Sequence, residues 1–147
     1  MFRIKPFTIV LLGVFSAVTA LAGEPPQVVR HELMEDAGAA AKTVGKMVKE
    51  ESPFDAADAM ASFETWSKVA AEFGSLFPEG SDTGHDTEAK ATIWSDRAGF
   101  EEALAAFDEA VKAATAAAPQ DLEALKAAAG PVFKTCKSCH EDYRVED

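Results

Sequence analysis

Four stretches of this chain place apolar side chains in steps of three and four, and no stretch alternates them in steps of two with β-branched enrichment. Steps of three and four are the repeat of a helix that buries one face, whereas a step of two marks strands. The first stripe runs Arg30, Met34, Ala37, Ala41, Val44 and Val48. The second is Ala59, Phe63, Trp66, Ala70, Phe73 and Phe77, and the third is Ile93, Phe100, Leu104, Phe107, Val111, Ala114 and Ala118. The fourth is Leu122, Leu125, Ala129, Val132, Cys136, Cys139 and Tyr143, which turns both cysteines toward the core. Amphipathic helices of similar length on mostly short connections bury such stripes against one another, so the expected fold is an all-α, antiparallel four-helix bundle.

Punctuation residues set the expected boundaries. Pro25-Pro26 opens the first helix. Ser52-Pro53-Phe54-Asp55 predicts a helix start with Ser52 as N-cap, Pro53 at the first helical position and Asp55 in the capping-box place. Pro78 to Thr87, rich in Gly, Asp, Ser and Thr, is the one long loop, and Pro119-Gln120-Asp121 breaks the chain and caps the last helix. Gly130-Pro131 falls inside that helix and is expected to bend it or interrupt its hydrogen-bond ladder.

The start of the chain reads as a secretory leader. Arg3 and Lys5 precede an apolar run from Phe7 to Val18, and Ala20-Leu21-Ala22 supplies the small-residue cleavage pattern, which places the leader at 1–22 and the mature domain at 23–147. The apolar run is too short to span a bilayer, so no membrane insertion is expected after cleavage. About 125 residues remain, enough for one domain with a real core.

The chain carries 25 acidic and 14 basic side chains, a net charge of −11. That sign argues against nucleic acid, whose phosphates need a basic surface. It fits an exported protein kept soluble by its charge, or one that steers a basic partner.

An exported chain normally uses its cysteines in disulfides, but here only two exist, at 136 and 139. A disulfide across one helical turn would constrain little of the unfolded chain. Cys136-Lys137-Ser138-Cys139-His140 is instead a C-x-x-C-H pentad, the attachment signal for haem c. At about 100° per residue, Cys139 lies roughly 60° from Cys136 on one side and His140 roughly 40° on the other. All three side chains therefore share one arc, where two thiols can bond the two vinyl groups and the imidazole can reach iron. Zinc would need a second ligand pair, and the remaining histidines, His31 and His85, are far apart in sequence. A thioredoxin-like dithiol would sit beside a strand, and no βαβ pattern exists here.

With the pentad on the fourth helix, Tyr143-Arg144 after it, Arg30-x-x-x-Met34 on the first helix and Ile93-Trp94 opening the third, the chain resembles the class II cytochromes c, the cytochrome c' family. The stretch Glu32 to Gly38 is closer to its low-spin cytochrome c-556 branch. The resemblance covers essentially the whole mature chain. It implies one covalent haem c per chain, held by thioethers from Cys136 and Cys139, with His140 as the proximal ligand. It places Met34 over the distal face, where the thioether binds iron or only packs above an open sixth position; His31, about 60° around the helix, is the poorer candidate. Arg30 and, less strongly, Arg144 are implied as partners of a haem propionate. His85 reads as a solvated loop residue, Met47 and Met60 as core or boundary, and Trp66, Trp94 and the phenylalanines as haem packing and bundle core.

Two functions follow from the two fates of Met34. With His140 and Met34 both on iron, the protein is a periplasmic electron carrier that meets redox partner proteins briefly. With the sixth position open, it binds or sequesters nitric oxide or carbon monoxide. No distal acid-base histidine is placed for peroxidase chemistry, so no enzyme is expected. The family resemblance also allows a homodimer through the first two helices.

Overall fold

A computed structural model describes residues 23–145, and the leader read at 1–22 lies outside them. Helix α1 spans Pro26–Val48, α2 Ala56–Glu72, α3 Thr92–Ser95, α4 Arg97–Ala117 and α5 Leu122–Tyr143, and a 3-10 turn over Phe73–Leu76 extends α2. The four long helices are a bundle in which α1 packs on α2, α2 on α4, α4 on α5 and α5 back on α1. Among the described residues there is no strand, only one antiparallel bridge between Ala89 and Arg144.

The helix ends follow local chemistry, with two departures from the sequence reading. α2 does not start at Ser52-Pro53; its N-cap is Asp55, whose carboxylate accepts from the Asp58 N–H at 3.0 Å. Residues 49–52 are used instead to finish α1. Glu50 takes a left-handed φ of 61°, its N–H reaches the Met47 carbonyl and the Glu51 N–H reaches the Lys46 carbonyl. That pair of bonds is a Schellman motif, here without the usual glycine.

The third stripe is also not one helix. Ile93 sits on α3, and Asp96 then caps α4 by accepting from the Gly99 N–H at 3.3 Å. Ala118, read as the end of that stripe, is exposed and terminates α4 with a left-handed φ of 40°. Asp121 caps α5 as expected, accepting from the Ala124 N–H at 2.8 Å. α5 continues through Pro131, whose ring nitrogen lacks the proton that an ordinary residue would give the Ala127 carbonyl. Pro131 is exposed, so water can reach that side of the ladder.

Two apolar clusters hold the bundle. The larger joins Val44, Met47, Phe63, Trp66, Val111, Leu125, Ala129 and Val132 from all four long helices. Each large side chain buried there contributes roughly 1.5–3 kcal/mol. The smaller gathers Phe77, Ile93 and Phe100, with Phe73, Trp94 and Tyr143 packed against them. On α1 the buried residues include Leu33, Ala40 and Met47, while Met34, Ala37 and Ala41 are only half-buried. The helix thus has two adjoining apolar faces, one for the core and one for something else.

Candidate haem site

The second face of α1 looks into a cavity of about 470 Å³ between the two clusters. Met34, Ala37, Gly38 and Ala41 line it from α1, Val69 and Phe73 from the end of α2, and Phe100 and Phe107 from α4. Cys136, Cys139, His140 and Tyr143 line it from α5. The wall is chiefly apolar, with polar groups gathered at the edge formed by the loop before α3, the arrangement typical of a cofactor pocket.

The α5 wall is fixed at both ends. Leu125, Ala129 and Val132 anchor the first half of the helix in the core. Beyond the pentad, the connection before α3 is stitched to the end of α5: the Lys90 N–H donates to the Tyr143 carbonyl at 2.9 Å and the Val145 N–H to the Glu88 carbonyl at 2.8 Å. Lys90 Nζ adds a bond to the Glu141 carbonyl at 2.7 Å, and Arg144 Nε pairs with Glu88 at 2.6 Å. These contacts tie the C-terminal end of the pentad helix to the loop before α3.

The thiols of Cys136 and Cys139 are not joined to each other. Burial raises the Cys136 thiol, and it pushes Cys139 up to about 11, with smaller contributions from Cys136 and Asp142. Both are neutral thiols at pH 7, unlike the depressed cysteines of a redox dithiol. Burial, followed by the Arg144 charge, lowers His140, which keeps its imidazole neutral and able to bind iron.

Arg30 occupies the cavity edge with 5 % of its surface exposed. Its Nη2 donates to the Ser81 carbonyl at 2.6 Å and to Thr87 Oγ1 at 3.2 Å, and Nη1 reaches Ser81 Oγ at 3.5 Å. The guanidinium lies 4.5 Å over the Phe77 ring and 5.7 Å from the Trp94 ring. Its hydrogen-bond partners are all uncharged, and among the described residues no carboxylate forms an ion pair with this buried positive charge.

Haem c fits these residues: two thiols and one neutral imidazole share a wall, the cavity is chiefly apolar, and a buried guanidinium at its edge could take an acidic group. Among the described residues no group of three or more His, Cys, Asp or Glu could hold a metal ion directly.

Some residues differ from the sequence reading. His85 is exposed, as a loop residue should be, but it also lines the cavity, and its backbone takes a left-handed φ of 51°. His31 lines the edge too and pairs with Glu35 at 3.4 Å. Arg144 has its own carboxylate partner in Glu88. Neither Trp66 nor Trp94 touches the cavity; Trp66 belongs to the main core, and Trp94 donates to the Pro78 carbonyl at 3.1 Å. Ser81, Thr87 and Glu88 carry no motif, and only folding brings them to the site.

A four-helix bundle with a C-terminal pentad opening onto an internal cavity defines a c-type cytochrome of the bundle class. The family model for cytochrome c' matches residues 27–144, and the chain belongs to that family. It is 33% identical to a cytochrome c' of Rhodopseudomonas palustris over 98% of each chain. It is 30% identical to cytochrome c-556 of the same species, over 95% of this chain and 97% of the relative. The solved cytochrome c' from Rhodopseudomonas palustris superposes with a TM-score of 0.80 at 34% identity, covering 84% of this chain and 98% of that one. The protein is accordingly a haem c protein, built as the sequence predicts on an antiparallel four-helix bundle.

Proposed function

We propose that this chain is an exported monohaem electron carrier in which His140 and Met34 bind the two faces of the iron. The observation that carries the reading is that Met34 of α1 and His140 of α5 line the same cavity, beside both cysteines. Cys136 and Cys139 would form the thioethers, and Arg30 would pair with a propionate through its uncompensated charge. When bound, haem c would supply a one-electron redox couple held by His140 and Met34, and a Met/His pair raises the potential of such a couple. The helices hold both ligands in place across that change, and the apolar lining keeps water off the metal edge. Residues 1–22 would be removed on export to the periplasm, leaving 23–147 as the working domain. No helix among the described residues is long and apolar enough to cross a membrane.

Absorption spectra of the haem-loaded protein test the proposal. The wild type should be six-coordinate and low-spin in both oxidation states. Met34→Ala should be high-spin and bind carbon monoxide without a ligand-displacement step. A high-spin wild type overturns ligation by Met34 and favours the gas-binding reading in its place.

A further inference from the structure

Trp66 is fully buried on α2 and stands behind the cavity wall rather than in it. A buried indole needs an acceptor for its N–H. Here the acceptor is the main-chain carbonyl of Ala37 on α1, 3.1 Å from Nε1. Met34, Ala37, Gly38 and Ala41 are among the α1 residues that line the cavity, and the indole bonds the main chain within that run. The ring also meets Phe133 edge-on with centroids 5.8 Å apart, one turn before Cys136 on α5. The Phe63 ring lies beside it, with centroids 5.6 Å apart. One side chain thus ties the wall that carries Met34 to the wall that carries Cys136.

We infer that Trp66 is a positioning residue: through the Ala37 carbonyl it sets how deeply Met34 sits in the cavity. The inference rests on Met34 being the distal ligand. Apolar packing between α1 and α2 is non-directional and tolerates small slides and rolls. A metal–ligand bond tolerates only about 0.2 Å. The indole N–H supplies the direction that packing lacks.

The test uses the haem-loaded protein. Trp66→Phe keeps an aromatic ring and removes the donor; Phe63→Leu disturbs the same core and leaves the bond in place. Trp66→Phe should become partly high-spin, and its reduced form should take up carbon monoxide about tenfold faster, the size expected of one lost hydrogen bond. Phe63→Leu should melt at a lower temperature with the wild-type spectrum and rate. An unchanged rate in Trp66→Phe, or an equal change in both variants, overturns the inference. A high-spin wild type overturns ligation by Met34 and the inference with it, whereas a low-spin wild type with an unchanged rate in Trp66→Phe overturns the inference alone.

Should Trp66→Phe not accumulate with haem, the wild type answers instead. The Trp66 indole N–H resonance, told from that of Trp94 with Trp94→Phe, should exchange with solvent about tenfold faster once carbon monoxide displaces Met34. Equal exchange in the two states overturns the inference.

Discussion

Replacing Arg30 by methionine removes one buried charge and keeps most of the side chain's apolar bulk. The guanidinium donates to the Ser81 carbonyl at 2.6 Å and to Thr87 Oγ1 at 3.2 Å, and it lies 4.5 Å over the Phe77 ring. A hydrogen bond to a charged group is worth roughly 1.5–3 kcal/mol, and a desolvated cation–π contact about 1–2 kcal/mol. Against these stands the cost of keeping the cation from water, the same burial that lowers its pKa. The net loss should be about 2–4 kcal/mol, because the Ser81 carbonyl loses a partner in a buried site. Urea unfolding of the haem-loaded protein, followed by helical circular dichroism, should show a midpoint lower by about 1–2 M at an unchanged slope. The reduction potential should also fall, since losing a positive charge near the iron favours the oxidised form. A stability change under about 0.5 kcal/mol would refute the assignment of a structural role to these bonds. Lost stability with an unmoved potential would refute pairing with a propionate.

Glu88→Gln should cost up to about 1 kcal/mol at neutral pH, because its partner Arg144 is half-exposed and the pair is screened. The Arg144 hydrogen bond lowers Glu88 below its ordinary 4.5, so the contribution is complete above that value and is lost as pH falls through the folded value. Wild type and variant should therefore converge in acid melts; a gap that persists there would show that the pair is not its source. Asp121→Ala removes the bond to the Ala124 N–H and should cost about 1 kcal/mol in denaturant titrations, with no change in the haem spectrum. Leu125→Ala opens a fully buried site in the main core and should cost about 2–5 kcal/mol, and a loss under 1 kcal/mol would show that the core closes around the gap.

The periodicity translated directly into burial for the middle of α2 and the first half of α5, because there each helix turns its apolar stripe to the main core. Phe63 and Trp66 on α2, and Leu125, Ala129 and Val132 on α5, all lie where the spacing put them. α1 was harder to read, because its sequence holds two adjoining apolar faces and spacing cannot say which meets protein and which meets a cavity. Leu33, Ala40 and Met47 took the core, and Met34, Ala37 and Ala41 took the cavity. The start of α2 was misplaced for a similar reason. Ser52 and Asp55 are both good caps, and the choice between them depended on how α1 ended at Glu50.

By itself the sequence determined the helical class and the pentad, since both depend on spacings within a single helix, where geometry is set by the backbone alone. Tertiary structure decided the rest of the site. Arg30 meets Ser81 and Thr87 across more than fifty positions of chain, and Glu88 reaches Arg144 over a similar span. Trp66 reaches Ala37 across twenty-nine. No local pattern encodes such meetings, because they arise only when helices of independent sequence are packed side by side.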